Sequence, residues 1–175
     1  MQELERFTSL FEQEVVHTLE YLKDLSPAQW LAVPRDSKAL FIGTRINKIT
    51  ISALVRHLIN AEQYWIEEIS TRPTGVTIGL PGEPTGLDGV ADGTALIEAY
   101  REALEQNQRV LRHLKPSDCD KAFVFAGRHY TGMGLLWSIL GHHAYHLGQI
   151  DLLMRQQGLN ALEYMEWPET RRMVG

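Results

Sequence analysis

Two histidines in the run from Gly141 to Ile150 have the residue type and spacing that suit metal chemistry. His142 and His146 lie four residues apart in a segment with helical apolar spacing. In a helix both imidazoles project from one face, about 6 Å apart along the axis. Histidines one turn apart can bind a single metal ion, as in other helical His-x-x-x-His sites. The spacing therefore indicates part of a metal site.

The apolar neighbours of these histidines indicate which way their face points. On a helical wheel, four apolar side chains fall within about 60° of one another: Leu135, Ile139, Ile150 and Leu153. His142 and His146 fall in the middle of this stripe, and His143 lies on its flank, where we expect a plain structural role. Buried imidazoles need partners, because an unpaired buried polar group costs about 1–3 kcal/mol. Core histidines bonded to carbonyl groups or water are the alternative interpretation.

A third histidine is available on another predicted helix. Residues 50–70 have amphipathic spacing, and His57 lies at the edge of the apolar face rather than among the charged residues. Three histidines would leave a coordination position open, as in a catalytic site, whereas a structural site is usually closed by a fourth protein ligand. The chain has a single cysteine, which excludes a thiolate-rich site. The candidate metal ligands are therefore His57, His142 and His146.

Further polar residues are candidates for contacts around such a site. Glu14 and Asn107 fall on the inner stripes of their helices, so either could support a ligand histidine or contact a substrate. A hydrogen-bonded core amide is the alternative for Asn107. Glu62 and Glu68 lie at the margins of the His57 helix face, and we expect them to reach solvent. His129 lies before the last predicted helix and either approaches the site or is solvated.

Other catalytic classes lack their motifs in this chain. A di-iron carboxylate bundle requires two Glu-x-x-His motifs and two more glutamates. Only Glu14-Val-Val-His17 matches, and His17 lies off the centre of its stripe. The Gly-x-Ser-x-Gly elbow, the phosphate loop and the His-Glu-x-x-His motif are also missing from the sequence.

Four amphipathic helices are predicted to position these residues. Their ranges are about 3–24, 50–70, 93–114 and 131–157. Thr50 or Ser52 suits the start of the second helix and Thr131 that of the fourth, while Gly158 suits a helix end. Phe123-Val-Phe125 alternates too briefly to carry a sheet, and residues 71–93 form a long loop rich in glycine and proline. These elements predict an all-α four-helix bundle with long crossover loops.

Composition limits the function classes. At 175 residues, 44% of them hydrophobic, the chain is long enough for one domain over residues 1–175. The formal charge of −5 and the lack of basic runs argue against nucleic acid as a partner. No apolar stretch approaches the roughly 20 residues of a membrane span, and the charged N-terminus is unlike a signal peptide. The lone Cys119 fits a reducing cytoplasm, and its acidic setting argues against a nucleophilic role.

Small residues cluster on the back of the last predicted helix. Gly141, Ala144 and Gly148 lie on one face, with Trp137 and Leu152 close by. Small side chains allow another backbone to approach closely. We expect this face to form a homodimer contact; a tight contact within the same chain is the alternative.

Two motifs resemble those of the DinB/YfiT-like metalloenzyme family. The first is Leu54-Val-Arg-His-Leu-Ile-Asn-Ala-Glu62, followed by Trp65, and the second is His142-x-x-Tyr145-His146-Leu147-Gly148-Gln149-Ile150. Helix count and spacing fit over nearly the whole chain. The resemblance implies a four-helix bundle and a divalent ion, zinc or nickel and less often iron or manganese, on His57, His142 and His146. Leu147 stands where many members have arginine, so no role of that arginine is carried over.

The activities that the resemblance implies are diverse. Some relatives are low-molecular-weight-thiol transferases or thiol-dependent isomerases, and many have no established reaction. A bound metal ion can lower the pKa of water or hold a thiol as thiolate. We therefore expect a metal-dependent enzyme acting on a small-molecule substrate, either a hydrolase or a thiol S-transferase with a low-molecular-weight thiol cosubstrate. The alternative is a metal-containing binding or stress-response module without turnover.

Overall fold

Four long helices form the body of the molecule in the computed structural model, which describes residues 2–35, 48–82 and 85–159. They are α1 (Gln2–Leu22), α3 (Ile51–Thr71), α4 (Thr94–His113) and α6 (Gly132–Gln156). Two single-turn helices lie in the connections, α2 (Pro27–Trp30) and α5 (Pro116–Cys119). The all-α four-helix architecture predicted from the sequence is confirmed.

The packing of the long helices explains why their connections are long. α3 packs against α4 and α6, and α1 packs against the same two helices. The order around the bundle is therefore α1, α4, α3, α6, which puts the consecutive long helices α1 and α3 on a diagonal. Helices on a diagonal are farther apart than neighbours, which is the arrangement found in bundles with crossover loops. This order makes α3 and α6, the helices that carry the candidate ligands, direct neighbours.

Threonine caps fix the starts of both histidine-bearing helices. The Thr50 side chain accepts a hydrogen bond from the Ala53 amide at 3.0 Å, and that of Thr131 accepts one from the Gly134 amide at 3.0 Å. Each cap satisfies an amide that has no partner within the helix. The far end of α6 turns at Gly158, whose φ of 74° lies in the left-handed region. Both caps and the terminal glycine agree with the sequence prediction.

A small sheet is the main departure from the sequence prediction. Its strands are β1 (Val76–Ile78), β2 (Ala122–Phe125) and β3 (Arg128–Thr131), with β2 in the middle, parallel to β1 and antiparallel to β3. The expectation that residues 123–125 are too few to carry a sheet is wrong. Ala126 and Gly127, with φ of 49° and 74°, form the tight turn between β2 and β3. Phe123 is 1% exposed, so β2 is also held by burial against the bundle.

The connection over residues 71–93 has more structure than the predicted loop. It contains β1 and one turn of 3₁₀ helix at Thr85–Leu87. Arg56 of α3 anchors its last part, because the guanidinium donates to the carbonyl oxygens of Leu87 at 3.1 Å and Val90 at 2.6 Å. The same group pairs with Asp92 at 2.9 Å. This part of the connection is therefore held against the helix that carries His57.

The core is continuous between the long helices and beneath the sheet. Its fully buried side chains include Phe7, Phe11, Leu58, Leu136 and Ile150, each stabilising the fold by about 1.5–3 kcal/mol. Among the helices described, none combines the length and the apolar character needed to cross a membrane.

Candidate metal centre

The three candidate histidines converge at one point between α3 and α6. Nε2 of His57 lies 3.1 Å from Nε2 of His142, which in turn lies 3.0 Å from Nε2 of His146. His57 and His146 are buried, and His142 is half-buried. Because His142 and His146 are one turn apart, α6 presents both rings to the single histidine of α3. The structure thus brings together all three residues singled out from the sequence.

The geometry of this cluster fits a divalent metal ion. Nitrogens bound at about 2.0–2.1 Å to a tetrahedral zinc ion lie about 3.3 Å from one another. The candidate ligand atoms all lie within 4.8 Å of one another, with the closest pairs at 3.0 and 3.1 Å. Three imidazole nitrogens aimed at one point need a cation or a shared proton between them. Imidazole ligands suit zinc, nickel, copper and iron.

Gln149 supports the cluster in a way that the sequence analysis did not identify. The Nδ1–H of His146 donates to the Gln149 side-chain oxygen at 2.7 Å. This bond places the ring proton on Nδ1 and leaves Nε2 free of a proton, which is the form that binds metal. Gln149 belongs to the second motif, and its position three residues after His146 is the signal that could have predicted this contact.

A cavity of about 380 Å³ lies directly against the three histidines. Trp65 of α3, Phe125 of β2 and Ile139 of α6 contribute to its walls. The Trp65 ring packs edge-on against His142, with ring centroids 5.0 Å apart, and against Phe125 at 5.2 Å. The sheet therefore has a role at the site, since β2 places Phe125 over the end of the bundle.

His143 is deeply buried, which corrects the expectation that it lies on a flank. It is 0% exposed, and its Nδ1–H donates to Glu62 at 2.7 Å. Nε2 of the same ring lies 2.8 Å from the Thr18 hydroxyl. The buried face of α6 is wider than the stripe used for the wheel, because it also includes Leu136, Leu147 and Met154. His143 lies near the middle of this wider face, and His142 at its margin, beside the cavity.

Glu62 is also buried, and the expectation that it reaches solvent is wrong. Its carboxylate is 0% exposed and accepts hydrogen bonds from His143 and from the Tyr100 hydroxyl, the latter at 3.0 Å. Burial raises the pKa of Tyr100 well above its usual range, and the Glu62 charge raises it further. We call Thr18, Glu62, Tyr100 and His143 the buried network. It links α1, α3, α4 and α6, and it is separate from the three-histidine cluster.

The family of the chain follows from the sequence around this site. The family model of the DinB superfamily matches residues 10–150, a range that contains all three histidines. The chain belongs to the DinB superfamily. This confirms the family indicated by the two motifs. No curated protein matches the chain.

Solved structures of DinB-like proteins share the fold. YfiT from Bacillus subtilis, described as a probable metal-dependent hydrolase with an unusual four-helix bundle topology, is 16% identical, with a TM-score of 0.68 and coverage of 90% of this chain and 89% of that one. The DinB-like protein YjoA from Bacillus subtilis is 18% identical, with a TM-score of 0.64 and coverage of 94% and 96%. A DinB-like protein from Bacillus cereus is 20% identical, with a TM-score of 0.60 and coverage of 90% and 94%. At these identities the likeness shows the fold.

The remaining candidates of this DinB-superfamily chain lie apart from the cluster. Glu14 and Asn107 are buried in the bundle, but neither lines the cavity. Glu68 is buried at 9% exposure, against the expectation that it reaches solvent, and it pairs with Arg72 at 3.0 Å, whereas His129 is exposed on β3. None of the four lines the cavity or belongs to the three-histidine group.

Cys119 also lies away from the site. Its thiol is half-buried beside the start of α6. Burial raises the pKa of the Cys119 thiol, and the charges of Asp118 and Asp120 raise it further. A raised pKa keeps the group as a thiol at neutral pH, which agrees with the expectation that Cys119 is not a nucleophile.

Proposed function

We propose that this DinB-superfamily chain is a metal-dependent enzyme that binds one divalent ion through His57, His142 and His146. The observation that carries the proposal is the convergence of three Nε2 atoms on one point beside a cavity. In the described part of the chain, no fourth histidine, cysteine or carboxylate joins the cluster. An ion held in this way would keep a coordination position on the cavity side, as catalytic zinc sites do.

The reaction class that suits this arrangement is attack on a small electrophile by water or by a low-molecular-weight thiol. A divalent ion bound there would lower the pKa of the nucleophile and polarise the electrophile. The chain's own residues would set the geometry: Gln149 holds the tautomer of His146, and Trp65 packs edge-on against His142. The probable metal-dependent hydrolase activity named for YfiT supports the hydrolytic form of this proposal.

The cavity favours an enzyme over a binding module without turnover. A module that only stores or senses an ion can close its site with protein ligands, whereas substrate turnover needs space beside the ion. The cavity of about 380 Å³ provides that space and has the size of a small-molecule site. Zinc and nickel are the ions we propose, since imidazole ligands suit both.

Metal content and ligand exchange test this function. Protein purified without chelator should hold about one divalent ion per chain, and His57→Ala should hold almost none. Cobalt-substituted protein should change its visible spectrum on addition of azide, because the open position accepts an anion, and this response should disappear in His57→Ala. The matched control is His129→Ala, which removes an exposed histidine outside the cluster and should change neither result.

Turnover is tested with an activated ester. The holoenzyme should hydrolyse p-nitrophenyl acetate, alone or with an added thiol, and the rate should fall on chelation and recover with zinc or nickel. Bound metal without a spectral response to azide, and without chelator-sensitive turnover in either assay, would contradict the enzymatic function and support a binding module.

We further propose that the chain forms a homodimer. The face of α6 made by Gly141, Ala144 and Gly148 is exposed, and side-chain positions built on the two glycines meet no other described atom within 4 Å. This supports a surface that a second copy can approach closely.

A further inference from the structure

The walls of the cavity beside the three histidines are aromatic and aliphatic. Trp65 and Phe125 form one side, with their rings at an angle of 73° and centroids 5.2 Å apart. Leu80, Leu135 and Ile139 contribute the aliphatic surface. Trp65 is only 4% exposed, so its ring is fixed by packing and forms a preformed wall. Such walls favour the apolar part of a ligand.

Two of the polar groups in these walls are already used within the protein, and the Tyr145 hydroxyl is a neutral group on an exposed side chain. The Trp65 indole N–H donates to the Gly79 carbonyl at 3.3 Å, and the Ser138 hydroxyl donates to the Gly134 carbonyl at 3.0 Å. No lysine, arginine or carboxylate lines the cavity as far as the structure describes it. A charged group on the body of a ligand would therefore lose hydration without gaining a partner of opposite charge from the described walls, which is costly.

The volume of the cavity limits the size of its ligand. The cavity of about 380 Å³ lies at the lower end of the range of about 300–1,000 Å³ that is typical of small-molecule sites. A ligand built on a single ring or a short branched chain suits this space. The three histidines are the polar end of the cavity, since their Nε2 atoms converge on one point there.

We propose that the cavity binds a small molecule with one polar head directed at the three histidines and an uncharged aromatic or branched aliphatic body. The role of the head rests on the proposed metal-dependent function, whereas the preference for the body depends on the walls alone. The substrate class is thus a small apolar compound that carries a single reactive group, and it differs from a peptide-like molecule with several charges.

Two matched probes test this preference, benzyl mercaptan and its para-sulfonate. Both carry the same benzyl thiol. The second probe adds a negative charge on the ring, and its sulfonate group binds metal ions poorly, so the thiol remains the polar head in both. Benzyl mercaptan should bind at least about tenfold more tightly, measured by calorimetry. The same order is expected with metal-loaded and with chelated protein, because the walls decide it. Equal binding of the two probes, or tighter binding of the sulfonate, would overturn the proposal.

A charge placed at the mouth of the cavity provides a gain-of-function test. Leu80 is 56% exposed, so Leu80→Lys adds a cation to the wall without burying it. It should strengthen binding of the sulfonate by about fivefold, the effect of one partly exposed ion pair. Leu31→Lys is the matched control, because Leu31 is 56% exposed and outside the cavity, and it should leave sulfonate binding unchanged. Unchanged sulfonate binding in Leu80→Lys would contradict binding in this cavity.

Metal analysis of the same samples separates this proposal from the proposed function. Protein that binds no metal but prefers benzyl mercaptan would contradict the metal-dependent function and support the cavity preference. Protein that binds metal but shows no preference between the probes would contradict the cavity preference and leave the metal-dependent function supported.

Discussion

Neighbouring residues His142 and His143 serve two different parts of the molecule. The His142 ring lies at the cavity, within 3.1 Å of His57 and 3.0 Å of His146. The His143 ring points into the bundle, where it meets Glu62 and Thr18. Successive residues of a helix point about 100° apart, so this separation is a direct result of helix geometry.

Metal content should therefore separate these two histidines. His142→Ala and His146→Ala should each remove most of the bound ion, since each deletes a proposed ligand nitrogen. His143→Ala should keep the ion but lose about 3 kcal/mol of stability, because the buried Glu62 carboxylate loses its shortest hydrogen bond and keeps that of Tyr100. Metal analysis and urea unfolding measure the two effects. His143→Gln retains a hydrogen-bond donor and replaces the alanine variant if that variant does not fold. If folded His143→Gln lost its metal while His142→Ala kept it, the roles assigned to the two histidines would be wrong.

Tyr100 should make stability fall at alkaline pH. Burial, and then the charge of Glu62, raises its pKa in the folded protein, whereas an unfolded tyrosine loses its proton near pH 10. The stabilisation is therefore complete below about pH 10 and is lost as the pH rises toward the folded pKa. Urea unfolding between pH 8 and 11 measures the decline.

Tyr100→Phe should flatten this decline while costing about 1 kcal/mol at neutral pH, since Glu62 loses a hydrogen bond. Tyr145→Phe, which removes a phenol that is 63% exposed, is the control and should keep the wild-type profile. A Tyr100→Phe profile as steep as the wild type would show that another group causes the alkaline loss.

At the scale of elements, the long helices could be predicted because their signals are local. Thr50 and Thr131 cap the starts of α3 and α6, and Gly158 ends α6, so each boundary depends on residues close in sequence. The candidate ligands could be predicted for the same reason, since the spacing of His142 and His146 is a property of one helix. Only the meeting of His57 with this pair required two helices to pack.

The sheet and the buried network could not be predicted in the same way because they depend on distant residues. Strand β2 pairs with β1, which lies more than forty residues earlier in the chain. Glu62 becomes an acceptor only where α3, α4 and α6 meet, through Tyr100 and His143. On a wheel of α3 alone it is a charged residue at the margin of the apolar face, and that position favours solvent.

The connection after β1 should depend on Arg56. This side chain donates to two backbone carbonyls and pairs with Asp92. Arg56→Ala should therefore speed hydrogen exchange of the amides in residues 85–92 by about tenfold. Arg101→Ala is the control, since the ion pair described for Arg101 is an exposed one with Glu98 at 3.7 Å. Unchanged exchange in Arg56→Ala would show that other contacts hold the segment.

At the scale of the whole molecule, the outer face of α6 predicts association of two chains. Gly141, Ala144 and Gly148 are exposed there, and Leu152 is also exposed. If this face is the homodimer contact, Ala144→Arg should give a monomer by light scattering with an unchanged circular dichroism spectrum. Tyr64→Phe, on a different helix, should leave the assembly unchanged. A wild-type monomer, or a dimer that persists in Ala144→Arg, would remove this role from the face.

The buried network also bears on how an ion would enter and leave. It joins α3 to α6 through the hydrogen bond between Glu62 and His143, which is next to the proposed ligand His142. We therefore expect the two helices to stay aligned with or without metal, unlike zinc fingers, in which metal binding and folding are one event. An ion would meet histidines that are already in position, so loading and removal should proceed without unfolding. Which ion the protein carries in a cell would then follow from the supply of each metal and its preference for imidazole.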